Sequence, residues 1–300
     1  MIRTVQGFEV YVLANESLEL SLVPALGAKI ISLINRQTGR EWMWHPPGSL
    51  KLFRNQLGDD FATGPITGWD ECLPTVLPCI NKGRALPDHG EVWSVPWELN
   101  PGEWQRQKLK TTVRLAVSPF DFERIIELSG NRIHVRYQLT NRNSEPEKFL
   151  WAMHPLIPVF AGDRLELAAA ARRQLAGESW VESLDFAAGQ PACAKVFAGP
   201  LGEGRAGISN ASTGDRMTFF WDPQANPALG LWLSRGGWHG YHQLALEPTN
   251  GAANALDQAG LEGRCGVVPP GSTVSWAITI QIDPGKPCKP GSQRPNFLKD

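Results

Sequence analysis

The sequence predicts an all-β protein of many short antiparallel strands, and three observations carry that expectation. The first is alternation of apolar and polar residues, the period of a strand with one face on a core. Leu18, Leu20 and Leu22 alternate with Glu19 and Ser21, and Ile133, Val135, Tyr137 and Leu139 alternate with Arg132, His134, Arg136 and Gln138. His134 thus falls on a polar face, and Val274 to Ile282 is the most regular run of all. The second is the count of 30 Gly and 24 Pro, too few to signal disorder but suited to frequent turns. The third is a hydrophobic content of 42% in 300 residues, enough for one large core, so a single domain over 1–300 is expected.

In chain order, Phe8–Ala14, Ser17–Val23 and Lys29–Asn35 read as three strands, with Glu41–Met43 continuing the sheet. Between His45 and Pro87 the breakers crowd: Pro46-Pro47-Gly48, Gly64-Pro65, Gly68, Pro74 and Pro78. That stretch predicts a long functional excursion without regular strands. Asp70 and Glu71 sit inside it, and on extended backbone two adjacent side chains point to opposite sides, so they cannot flank one glycosidic bond together. Capping a turn and touching a polar ligand are equally open for them. The excursion ends in Pro87-Asp88-His89-Gly90-Glu91-Val92-Trp93, where Gly90 lets the backbone turn sharply and leaves His89 at the lip, with Trp93 and Trp97 nearby.

Three strands follow between Leu109 and Thr140, then Phe149–Pro158, Arg164–Ala168, Met217–Trp221 and Leu229–Leu233, with a short helix over Ala252–Gln258 and a loosely held tail over 283–300. Two titratable residues end apolar runs and precede proline, which biases the residue before it toward extended backbone: His154 before Pro155 and Glu247 before Pro248. A histidine exchanges protons near neutral pH and a carboxylate accepts them, so the two suit acid–base chemistry.

The net charge of −1 supplies no field for nucleic acid or an anionic membrane, and a neutral partner is expected. No apolar run approaches the roughly 20 residues of a membrane span, and the first residues lack the apolar stretch of a secretion signal, so a cytoplasmic protein is expected. Five cysteines, none in a C-x-x-C pair, read as reduced thiols. His239 and His242 form an H-x-x-H pair with Gly240 inside it and no third ligand at recognisable spacing, so neither metal nor organic cofactor is expected. Twelve Trp is a high count; most belong in a core, and the remainder suit the flat wall of a sugar cleft.

The series G-W-D-E-C-L-P-T at Gly68–Thr75, D-H-G-E-V-W at Asp88–Trp93, H-P at His154-Pro155 and L-E-P-T-N-G at Leu246–Gly251 resembles the aldose 1-epimerase (galactose mutarotase-like) family, in the family's order and across roughly residues 8 to 282. The resemblance implies a large antiparallel β-sandwich, the galactose mutarotase-like supersandwich, whose concave face binds a free sugar. It implies His154 as general acid, Glu247 as general base and His89 as a substrate-orienting residue, with Asp70 as a further substrate contact and Arg54 as a weaker candidate; Trp93, close to His89 at the end of the excursion, is expected to contact substrate from its position. The sugar-phosphate branch carries an Arg soon after its H-G motif, where this chain has Glu91-Val92-Trp93, which favours a neutral aldose. The expected activity is interconversion of α and β anomers. The alternatives are a non-catalytic carbohydrate-binding or regulatory protein of the same fold, and a glycoside hydrolase or polysaccharide lyase. Nothing in the sequence sets an oligomeric state.

Overall fold

Strands that alternate in sequence alternate in burial. Arg132–Asn141 buries Ile133, Val135, Tyr137 and Leu139, and Thr273–Asp283 buries Trp276, Ile278, Ile280 and Ile282, one side chain in two, as the pleat requires. The computed structural model describes residues 1–48, 50–182, 184 and 191–286.

Two antiparallel sheets hold this pattern. One has nine strands, in the spatial order Ile2–Val5, Phe8–Ala14, Leu18–Val23, Lys29–Asn35, Trp69–Cys72, Ala152–Pro158, His242–Thr249, Ala228–Arg235 and Ala192–Ala198. The other has eight: Asp163–Leu167, Gly204–Asn210, Arg216–Trp221, Thr273–Asp283, Arg132–Asn141, Phe120–Ser129, Leu109–Arg114 and Glu98–Leu99. Leu20, Leu33, Met153, Leu231 and Leu246 of the first pack in one core with Phe122, Ile126, Val135, Phe219 and Ile278 of the second. The architecture is a large antiparallel β-sandwich. Among the described residues no helix exceeds six residues, and none is long and apolar enough to cross a membrane.

Polar groups also join the sheets. Glu71 is fully buried and accepts from Arg124 Nη1 at 2.9 Å, Tyr137 Oη at 2.9 Å, Trp151 Nε1 at 2.9 Å and Trp69 Nε1 at 3.2 Å. Arg124 and Tyr137 belong to the eight-stranded sheet, so the bonds cross the core.

Several expectations need correction. Trp69–Cys72 is a central strand inside the stretch expected to lack strands, and Cys79–Asn81 pairs with Arg84–Leu86 in the same stretch. Its breakers bound strands too short to show a period. Glu41–Met43 forms only an isolated bridge to Ile34, because the Glu41 carboxylate accepts from the Leu33 and Met43 amides, both at 2.8 Å, where ladder bonds would run. The helix expected over Ala252–Gln258 lies at Leu256–Leu261. Ala192–Ala198 and Gly204–Asn210 are strands in a stretch where the sequence predicts none. The tail expected to be loose begins in strand at Asp283, and the Gly285 amide donates to Asp215 Oδ1 at 3.1 Å; residues 287–300 lie outside the described residues.

Candidate active site

The nine-stranded sheet has one face on the core and one turned away from it. Glu71 points inward to Arg124 and Tyr137, so its neighbour Asp70 points outward. Met153 and Leu246 pack in the core, which turns His154 and Glu247 to the same outer face. The register then aligns them. His154 is opposite Asp70 on one side, and the pairs Ala152–Thr249 and Leu156–Ala245 bring it level with Glu247 on the other. Glu247 is in turn opposite Gly230. Residues distant in the chain thus form one row across four strands.

His154 Nε2 lies 3.9 Å from Glu247 Oε1, with both side chains almost wholly buried. The other carboxylate oxygen, Oε2, accepts from Lys195 Nζ. Lys195 comes from the outermost strand, where it is opposite Trp232 and reaches diagonally toward Glu247 past Gly230. A Cβ at Gly230 would lie 3.1 Å from Glu247 Oε2 and 3.2 Å from the Phe197 ring, so the missing side chain leaves room for the pair. Glu247 Oε1 and His154 Nδ1 are buried without hydrogen-bond partners, an unusual state for such atoms away from a functional site.

His89 approaches from the loop. It has φ 55° and Gly90 follows at φ 75°, a region that only glycine adopts without cost. A Cβ at Gly90 would lie 2.0 Å from the Leu73 carbonyl oxygen, so the turn requires glycine on both counts. The His89 ring stacks on Phe61 at 4.1 Å and meets the His154 ring edge-on at 5.4 Å. Asp88 Oδ1 lies 3.0 Å from His89 Nδ1, and Asp88 Oδ2 accepts from the Phe61 amide at 2.9 Å. Burial alone would raise the Asp88 pKa, but the His89 ring and the Phe61 and His89 amides outweigh it and hold the carboxyl below its ordinary value.

Burial, reinforced by the charges of His89, Lys195 and Lys29, pushes the His154 pKa well below 6.5, so the ring is neutral at pH 7. Burial also raises the Asp70 pKa, against the opposing pull of its partner Lys29.

Phe61, His89, His154, Lys195, Trp232 and Trp238 line a cavity of about 400 Å³, within the size range of small-molecule sites. Nine of the twelve Trp are buried; two of the other three, Trp232 and Trp238, stand half-buried in this wall. The structure therefore brings His89, His154 and Glu247 together. Glu247 lies behind His154 and Lys195, which line the cavity, and is not itself among the lining residues; Asp70 shares the row but is buried against Lys29 and does not line the cavity either. Trp93 sits behind Phe61 at 5.0 Å, its Nε1 donating to the Asp88 carbonyl at 2.8 Å, and braces the loop. Arg54 is exposed and outside the lining. Glu91 faces elsewhere, accepting from the Val117 and Ser118 amides at 2.6 and 2.9 Å, so it cannot repel a phosphate in this cavity. Sequence reasoning misses Lys195, Phe61, Trp232 and Trp238 as site residues. Among the described residues no three His, Cys, Asp or Glu side chains gather as a metal-binding set.

No family model and no curated protein matches the sequence. Solved structures do resemble it. The Slr1438 protein from Synechocystis sp. PCC 6803 is 19% identical over 94% of this chain and 98% of its own, with a TM-score of 0.74. A galactose mutarotase-like protein from Clostridium acetobutylicum is 13% identical over 95% and 98%, with a TM-score of 0.70. A protein from Escherichia coli K12, provisionally named an aldose 1-epimerase, is 18% identical over 92% and 99%, with a TM-score of 0.65. At such identities the likeness is one of fold: the chain has the galactose mutarotase-like β-sandwich fold.

Proposed function

We propose that the protein interconverts the α and β anomers of a free, neutral aldose by opening and reclosing its ring. The observation that carries this reading is His154, in the lining of a cavity of small-molecule size, with its Nε2 standing 3.9 Å from an unpartnered Glu247 Oε1. Glu247 takes the proton of the anomeric hydroxyl. The bond from the anomeric carbon to the ring oxygen breaks, its electron pair stays on the ring oxygen, and that oxygen takes a proton from the His154 imidazolium. The resulting aldehyde rotates about its bond to the next carbon. Reclosure on the other face returns one proton to His154 and takes one from Glu247, so both residues end as they began.

The environment suits these roles. An imidazolium whose pKa is pushed down is a strong acid, which matches the weak basicity of an ether oxygen. His89, stacked on Phe61 and anchored by Asp88, is placed to hold a sugar oxygen. Trp232 and Trp238 offer flat apolar faces to the C–H side of a pyranose. Lys195 is the one Lys or Arg among the described lining residues and is already paired with Glu247, which favours a neutral sugar. No step calls for a cofactor.

Polarimetry of freshly dissolved α-glucose and α-galactose, with and without protein, tests the activity. Glu247→Gln keeps the shape but removes the base, and is expected to lower the rate by on the order of 10²–10⁴-fold while calorimetric sugar binding survives. Sugar binding by the wild type with no acceleration would favour a non-catalytic carbohydrate-binding protein.

A further inference from the structure

We propose that Lys195 is a positioning residue for this chemistry: its ammonium holds Glu247 Oε2, keeping the buried carboxylate charged and leaving Oε1 as the atom turned toward His154 and free to act as the base. The proposal rests on Glu247 being the base.

Glu247 is 1% exposed, and burying an ionised carboxylate is costly unless a partner of opposite charge is supplied. The groups around it leave few suppliers. Ala152–Pro158 contributes His154, neutral at pH 7; Trp69–Cys72 contributes Asp70, already paired with Lys29, and Cys72; Ala228–Arg235 contributes the bare Gly230; the loop contributes His89 with Asp88. Among the described residues, Lys195 is the only Lys or Arg in an ion pair with Glu247.

The same contact fixes orientation. A carboxylate has two oxygens that could serve, and the ammonium engages one of them. The other, Oε1, stays unpartnered and faces His154 Nε2. Gly230 makes the arrangement possible, because a side chain there would crowd Oε2. Lys195 also lines the cavity with its side chain 20% exposed, so its charge acts at the place where substrate enters. A cation beside both proton-handling groups favours the deprotonated form of each. Its removal is expected to move the pH profile of the reaction to higher pH.

The test compares wild type, Lys195→Met, Lys195→Arg and Glu247→Gln in kcat and KM across the pH range, with sugar binding and thermal melting on the same preparations. Lys195→Met is expected to lose on the order of tenfold to 100-fold in kcat at the optimum of its pH profile, with KM changing far less. Both limbs of its kcat/KM profile should move to higher pH by about one unit, so that its optimum lies at higher pH than that of the wild type. Lys195→Arg, which keeps the charge, should hold the limbs near their wild-type positions. Should Met at this position prevent folding, Lys195→Gln carries the same test, since it keeps a hydrogen-bond donor without the charge. Unmoved limbs overturn the proposal, whether the rate is unchanged or falls equally at every pH as a structural defect would make it. Wild-type activity in Glu247→Gln sinks the catalytic reading and this proposal together, whereas an inactive Glu247→Gln with unmoved limbs in the Lys195 variants sinks only this one.

Discussion

A histidine held neutral by its surroundings makes a demanding acid, and that sets the pH dependence at the scale of the single residue. The unfolded chain protonates a histidine near pH 6.5, but in the fold burial and the charges of His89, Lys195 and Lys29 push the His154 pKa well below that. If the imidazolium is the acid, activity requires the protonated form, which disappears as pH rises through the lowered pKa. The expected outcome is a kcat/KM that already falls with rising pH below neutrality, by about tenfold per unit on the alkaline limb. This parameter reports the groups of the free protein. A flat profile from acid to alkaline pH would instead show His154 acting only as a neutral hydrogen-bond donor. The same shift bears on stability: the unfolded state binds the proton first, so the contribution of neutral His154 is present above pH 6.5 and is lost as pH falls toward the folded pKa. His154, Glu247 and His89 are legible in the sequence because proline or glycine follows each of them. Lys195 is not, because nothing local marks a lysine within Ala192–Ala198 as facing a carboxylate 52 positions away.

At the scale of elements, two devices place the site: a row across strands and a strained turn. The row depends on strand order, a nonlocal property, so the sequence shows its members singly and never their alignment. The long strands are legible from alternation sustained over their whole length. Ala192–Ala198 is an edge strand whose side chains are mostly half-buried, so the apolar alternation that marks a strand is weak there. The turn is legible in part, since Gly90 marks it, but the contact that requires glycine lies with Leu73, a residue far back in the excursion. Gly90→Ala must adopt a left-handed backbone, at a cost of about 1–2 kcal/mol, and must also displace the Leu73 carbonyl. His89 should move with it. The expected outcome is a lower denaturation midpoint together with weakened sugar binding, read by chemical denaturation and calorimetry. Wild-type affinity in a destabilised Gly90→Ala would separate His89 from substrate binding.

At the scale of the whole molecule, the charged Glu71 network joins the two sheets beneath the site. Adjacent residues of one four-residue strand serve both faces: Glu71 toward the opposite sheet, and Asp70 toward the row that holds His154. Burial raises the Glu71 pKa, and Arg124, Tyr137 and Trp151 oppose the rise. The folded pKa therefore lies above the unfolded one, and the stability linked to its protonation is lost as pH rises through the folded value. What keeps the charged form tolerable is its set of partners. Glu71→Ala leaves Arg124 buried without its carboxylate and should cost about 3–5 kcal/mol, measured as a shift in the urea midpoint. Glu71→Leu combined with Arg124→Met removes both charges and should recover part of that loss, although the Tyr137 hydroxyl and Trp151 indole still lose an acceptor. A double variant as unstable as the sum of its single changes would show that the two side chains act independently. A Glu71→Ala chain that unfolds like wild type would show that apolar packing alone holds the sheets together, and that the site's row needs no support from beneath.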